Sequence, residues 1–359
     1  MTTITSRLTI RTAMEILLAF AVALSLVGYF LLPTGKANNL PTYMLGILTI
    51  MLTLSWVHVM WRSWVLVSSV LLAAYLALSL LWSKPLYDEE VHSLIGNGLL
   101  SALFIMALVI CLVRFTHFQV WLIEAIVLAA CLSGAGYLIT AIFLDETVTE
   151  ATIGRWLSPS VGAIGFGFAA VLAINLTLGR INRRFKVFWA CASTLLVIAC
   201  VHMNIDYVSF ALLASVTALS LGRLWRVRDF GRALIWIGLC FILIVVSILV
   251  LNLVIESGRQ MIWTSVLDLI YDERIAFGYG IRSQPEFHVD CGLELVAAAV
   301  DCAWRHPHNL YVSTMFYGGI VGIGALILLM ISSISVTLES HHPSRWLTLS
   351  LLTLSLIHI

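Results

Sequence analysis

Ala13-Met-Glu-Ile-Leu-Leu-Ala-Phe-Ala-Val-Ala-Leu-Ser-Leu-Val-Gly-Tyr-Phe-Leu-Leu32 is a run of twenty residues with one charged side chain, Glu15. As a helix it would be about 30 Å long, the thickness of the hydrocarbon core of a bilayer. It is too long for the apolar segment of a cleavable signal peptide, and Pro33-Thr-Gly-Lys36 follows without a small-residue cleavage pattern. This run is therefore read as a first membrane span. Similar runs recur near 41–60, 63–82, 94–114, 120–143, 161–179, 187–203, 207–222, 233–255 and 310–336. A last apolar stretch, Trp346 to Ile359, is 14 residues long and is expected to be either a span cut short or an irregular tail.

Composition agrees with these runs. Hydrophobic residues make up 61% of the 359-residue chain and charged residues 11%, against about 25% charged in soluble domains. The net charge of +1 leaves no basic surface for nucleic acid. The expected fold class is all-α: a polytopic transmembrane helical bundle of about 11–12 spans, each satisfying its own backbone hydrogen bonds.

Orientation follows from the basic residues. With the N-terminus inside, Arg7, Arg11, Arg62, Arg114, Arg180, Arg183, Arg184, Lys186, Arg223, Arg226, Arg228, Arg232 and Arg345 are cytoplasmic. Lys36, Lys84, Arg155, Arg259, Arg274, Arg282 and Arg305 fall outside, four of them in one long loop, where the positive-inside rule has little force. Both short clusters, Arg180 to Lys186 and Arg223 to Arg228, land on the inner side.

The chain divides by this reading into an N-terminal bundle (1–255), a large outer loop (256–309) and C-terminal spans (310–359). Loops of this length in compact proteins are functional or disordered, and this one carries Trp263, Tyr271, Phe277, Tyr279, Phe287 and Trp304. Its opening, Arg259-Gln-Met-Ile-Trp263 through Ile270, has apolar residues at a helical period (Met261, Ile262, Val266, Leu269, Ile270), which predicts a helix at the membrane face. Phe277-Gly-Tyr-Gly280 is a glycine turn, either a plain turn or one that offers backbone N–H groups to an anion. Arg305-His-Pro-His308-Asn309 precedes the tenth span, with Pro307 setting a turn that brings His306, His308 and Asn309 to the membrane mouth. Histidine is the side chain best suited to proton transfer near neutral pH.

His308-Asn309 followed by Gly319-x-x-Gly322 resembles the signature of O-antigen ligases, part of a superfamily with glycan polymerases and O-oligosaccharyltransferases. Arg259 and Trp263 at the loop's opening, with Gly278-Tyr-Gly280 downstream, are similar to the same pattern. The resemblance implies glycan transfer from a polyprenyl diphosphate carrier to lipid A-core, on the periplasmic face of a bacterial inner membrane, with no metal or other cofactor. It implies that Arg259 grips the donor diphosphate and that His308 activates the acceptor hydroxyl or holds the leaving phosphate. Arg155, in Gly154-Arg155-Trp156, is similar to a second family arginine. The further candidates for substrate contact are Arg282, Arg305, His306, Asn309, Gly278, Gly280 and Trp263. Two departures exist: no arginine stands in His202-Met-Asn-Ile-Asp206, and Ile323-Gly324 replaces a threonine pair common in ligases. Repeat-unit polymerase and protein O-oligosaccharyltransferase therefore stay open beside ligase.

The residues are chemically suited to that reaction. A departing diphosphate develops negative charge, which fixed arginines stabilise through bidentate contacts. Paired carboxylates are the other glycosyl-transfer solution, but no spacing among Asp272, Glu273, Glu286, Asp290, Glu294 and Asp301 singles out a pair. Cys291 and Cys302 are a candidate disulfide or two independent thiols, while Cys111, Cys131, Cys191, Cys200 and Cys240 read as small apolar fillers. Glu15 and Glu124 lie close to span ends and are expected to snorkel. A secondary transporter would instead concentrate polar groups at mid-bilayer and show internal repeats; neither pattern is visible here.

Overall fold

Runs of Leu, Ile, Val, Ala and Phe, with proline only at their first residues (Pro41, Pro159), leave a chain in lipid no way to satisfy its backbone other than helix. The structure, a computed structural model, describes residues 10–32, 39–60, 63–83, 100, 103–115, 117–143, 159–179, 182–203, 212–217, 219, 259–281, 287–290, 301–304 and 310–339. Among these, α1 spans Ile10–Leu31, α2 Asn39–Met60 and α3 Trp64–Leu78, with a 3-10 turn at Ser79–Leu81. Then follow α4 (Leu103–Arg114), α5 (Phe118–Phe143), α6 (Pro159–Gly179), α7 (Arg183–His202), α8 (Arg259–Glu273) and α9 (Leu310–Glu339). Residues 212–217 are also helical. Six of the described helices are long and apolar enough to cross a membrane, and Leu40–Leu52 and Leu103–Arg114 are shorter apolar helices. The chain is thus a multi-pass helical membrane protein. The expected span at 233–255 and most of that at 207–222 lie outside the described residues.

The chain forms two units, residues 1–63 with 96–205, and residues 64–95 with 206–359. They cut across the linear division expected from sequence, because α3 packs along α9 rather than belonging to the first unit.

In the first unit α1 packs on α2 and α5, and α5, α6 and α7 pack on one another. Ala163, Ala169, Ala170 and Ala173 form the buried stripe of α6; small residues let membrane helices approach closely. Ser133 Oγ donates to the Phe30 carbonyl at 2.6 Å, tying α5 to α1. Asn182 caps α7 by accepting from the Arg184 N–H at 3.0 Å. Arg183, Arg184 and Lys186 occupy the first turn of α7, where the helix dipole disfavours cations. Helix stability alone does not explain their placement.

Glu15 corrects an expectation. It does not snorkel: it is 2% exposed, with Arg11 Nε 3.1 Å from one carboxylate oxygen and Arg114 Nε 2.8 Å from the other. Its place on the inner face of α1 forces the alternative to snorkelling, which is pairing with two cations. Removing a buried partner costs about 3–5 kcal/mol in a dry site. Both arginines are about half exposed here, so about 1–2 kcal/mol is expected. Glu15→Ala should lower the unfolding midpoint of the detergent-solubilised protein, measured by thermal scanning. An unchanged midpoint would mean the trio adds nothing. Glu124 is half-buried. Cys111 and Cys200 are buried as fillers are, whereas Cys191 is exposed.

In the second unit α9 packs on α3 and α8, and Ser68 Oγ lies 3.0 Å from Ser332 Oγ between α3 and α9. The long loop begins as the predicted helix, but it is not wholly helical. β1 (Phe287–Asp290) pairs antiparallel with β2 (Asp301–Trp304), in the register Phe287↔Trp304, His288↔Ala303, Val289↔Cys302 and Asp290↔Asp301. Four-residue strands are too short for their alternation to stand out from sequence.

Candidate functional site

The helix predicted at the loop's opening is α8, and it begins on Arg259 itself. Its buried face is Val266 and Ile270, which join Val312 and Phe316 of α9 in one apolar cluster, with Trp263, Tyr279, Met315 and Tyr317 packed against it. Leu267, Leu269 and Tyr271 remain exposed. The helix thus turns its 266/270 edge to the protein. Trp263 is half-buried in the same seam, so part of its indole is used in packing.

Beyond Glu273 the chain makes one more turn. Gly278 N–H donates to the Arg274 carbonyl at 2.8 Å, and φ of 67° at Gly278 ends the helix in the left-handed region. The next residues clamp α9. Tyr279 N–H donates to the Phe316 carbonyl at 2.8 Å and Gly280 N–H to the Tyr317 carbonyl at 2.9 Å. In return the Ile320 N–H donates to the Ile275 carbonyl at 2.9 Å and the Val321 N–H to the Ala276 carbonyl at 3.3 Å.

The exchange is needed because α9 is broken. Gly319 has φ 59° and ψ −156°, a region essentially reserved for glycine. A break inside an apolar helix frees carbonyls before it and N–H groups after it, and in a membrane these must be re-satisfied by protein. The 275–280 segment does this for both sides. Tyr75 of α3 completes the joint, its hydroxyl donating to the Gly318 carbonyl at 2.6 Å. Ser79 Oγ accepts from the Ile281 N–H at 2.9 Å. The Tyr279 ring stacks on Phe316 with centroids 4.9 Å apart.

This geometry decides between the two readings of the glycine turn. The N–H groups of Gly278, Tyr279, Gly280 and Ile281 all go to protein acceptors. They are not an anion cradle, and the two glycines act as joint residues rather than as substrate ligands through their amides. A Cβ on Gly278 would come within 2.6 Å of the Gly319 nitrogen and the Phe316 oxygen, and one on Gly280 within 2.6 Å of the Ser79 carbonyl. The sequence held the signal (Gly-x-Gly facing Gly-Gly), but not the pairing of the two.

Gly319-x-x-Gly322 also gains a physical meaning. Gly319 supplies the break, and Gly322 packs one turn later, where an added Cβ would meet the Thr314 carbonyl at 3.1 Å and the Tyr75 ring at 3.5 Å. Tyr75, missed by sequence reasoning, carries no motif that could have marked it.

Arg259 is the first residue of α8 and Arg274 directly follows its last, so a helix roughly 22 Å long separates the two backbone positions. Arg274 is exposed. The Arg259 side chain lies outside the described residues, as do Arg155, Arg282, Arg305, His306, His308, Asn309 and Cys291. Cys302 is described only as a backbone position of β2. What the structure describes are the helices that adjoin these residues in sequence. Arg259 opens α8, Leu310 opens α9 directly after His308-Asn309 in sequence, and the two helices share a core on the N-terminal side of the clamp. Among the described residues no group of three or more His, Cys, Asp or Glu could hold a metal ion. No known protein family, curated protein or solved structure matches the chain.

Proposed function

We propose that this protein is an O-antigen-ligase-like glycosyltransferase, moving a glycan from a polyprenyl diphosphate carrier to lipid A-core on the periplasmic side of a bacterial inner membrane. The supporting observation is convergence. The helix opened by Arg259, the turn Gly278-Tyr-Gly280 and the pair Gly319/Gly322 are separate in sequence, and they meet in one joint. That joint fixes the helix which follows His308-Asn309.

In this reading the acceptor hydroxyl oxygen attacks the anomeric carbon of the donor sugar. Its proton passes to His308, the bond from that carbon to the diphosphate oxygen breaks, and the diphosphate stays on the carrier. Arg259 stabilises the charge that develops there, with Arg282, Arg305 or Arg155 as further candidates for the diphosphate or glycan. Repeat-unit polymerase and protein O-oligosaccharyltransferase use the same donor chemistry with a different acceptor.

A broken helix is also a mark of secondary transporters, whose free helix ends hold substrate or ions. Here the carbonyls of Phe316, Tyr317 and Gly318 and the N–H groups of Ile320 and Val321 are all engaged by protein. This favours the transferase reading.

The test is deletion of the gene, with surface glycolipids resolved on a gel. Unmodified lipid A-core together with accumulated carrier-linked polymer supports the ligase. A single repeat unit on the core means polymerase, and an altered secreted glycoprotein means oligosaccharyltransferase. No change in any glycan overturns the proposal.

A further inference from the structure

The first unit carries a site that the transfer reaction does not use. A groove of about 540 Å³ opens between α1 and the α4–α5 junction, within the range of about 300–1,000 Å³ of small-molecule sites. Its walls are apolar, with Phe20 and Ala23 of α1 on one side and Phe118 and Trp121 of α5 on the other. Its end is polar. Arg114, the last residue of α4, and His117, in the connection to α5, line the groove there.

Charge is unbalanced at that end. One buried carboxylate, Glu15, pairs with two guanidiniums, Arg11 and Arg114, through their Nε atoms. The carboxylate is buried while both arginines are about half exposed, so the accessible side of the trio is cationic. Glu15 marks the level of the charges, and Phe20 and Ala23 lie one and two turns further along α1. The apolar walls therefore run about 10 Å away from the charged end. Trp121 is exposed one turn into α5, its backbone N–H donating to the His117 carbonyl at 3.2 Å, and tryptophan is a residue that sits beside headgroups in membrane proteins.

We propose that this groove binds one anionic phospholipid, its phosphate against Arg114 and His117 and an acyl chain along Phe20, Ala23 and Phe118. A basic end joined to an apolar trough between membrane helices matches a lipid that carries net negative charge. It does not match a zwitterionic one, whose ammonium would meet the same arginines. A soluble anion would leave the trough empty.

The test is native mass spectrometry of the full-length protein in detergent, titrated with phosphatidylglycerol or phosphatidylcholine. The first phosphatidylglycerol should bind at least about fivefold more tightly than phosphatidylcholine, as about 1 kcal/mol per basic residue implies. Arg114→Gln should remove most of that preference. Ala23→Phe, which fills the trough and leaves the ion trio untouched, should abolish the tight site. His117→Gln, at an exposed position outside the helices, should weaken it without altering thermal unfolding. Equal affinity of the wild type for the two lipids would overturn the proposal. So would unchanged phosphatidylglycerol binding in Ala23→Phe and His117→Gln, or displacement of the lipid by millimolar inorganic phosphate.

Discussion

Gly319→Ala is expected to destabilise the protein by about 2–6 kcal/mol and to abolish the proposed transfer. Two terms add. Alanine at φ 59° and ψ −156° occupies a backbone region that costs about 1–3 kcal/mol for a residue with a Cβ. The methyl group would also collide with backbone: the Ala276 carbonyl, and the Gly278 nitrogen 2.6 Å away. Backbone held by four cross-hydrogen bonds cannot yield as a side-chain tip would, so overpacking adds about 1–3 kcal/mol. Two substitutions bracket the result. Gly324→Ala, on the same helix with nothing within 4 Å of the added Cβ, should be neutral or stabilising by up to about 1 kcal/mol. Tyr75→Phe removes one donor from the Gly318 carbonyl and should cost about 1 kcal/mol. Thermal unfolding in detergent orders the three. A Gly319→Ala protein as stable as Gly324→Ala would mean that the break in α9 is not obligatory.

How much of this was legible depends on what the physics makes periodic. The described spans lie within a few residues of the apolar runs because a bilayer imposes length and hydropathy on each segment independently. α8 was readable for a related reason: Val266 and Ile270 sit four residues apart on one face, and it is that edge which meets Val312 and Phe316. Reading failed where a residue's role depends on a partner far along the chain. Glu15 looks like a residue near a span end until Arg114, 99 positions away, is seen beside it. Gly278 and Gly280 read either as a plain turn or as one open to an anion until the carbonyls of Phe316 and Tyr317 are found on their side. Tyr75 looks like any aromatic in a span. The ribbon of Phe287–Asp290 with Asp301–Trp304 was missed because its strands are four residues each. In each case the missing information was a pairing, which one sequence does not contain.

Arg259→Ala and His308→Ala are expected to lose glycan transfer by about 10²–10³-fold and 10²–10⁴-fold respectively, with expression and membrane insertion unchanged. The first figure is the usual effect of removing one group that stabilises charge in a transition state. The second is that of removing a positioned general base. Arg259 is the first residue of α8, and a cation there opposes the helix dipole by about 0.3–1 kcal/mol. Helix stability therefore does not require it. Positive-inside topology does not explain it either, since the residue falls in the long loop. The proposed diphosphate contact would account for a cation placed against its own helix. Arg259→Lys should restore only a fraction of transfer, because an ammonium keeps the charge but cannot make the bidentate phosphate contact. The readout is the fraction of lipid A-core carrying polymer when each variant replaces the chromosomal gene, beside immunoblots of the membrane fraction. Full transfer by His308→Ala would remove the proton-transfer role. Full transfer by Arg259→Ala would remove the diphosphate grip, and the clamp would then stand as a structural joint with its active site elsewhere.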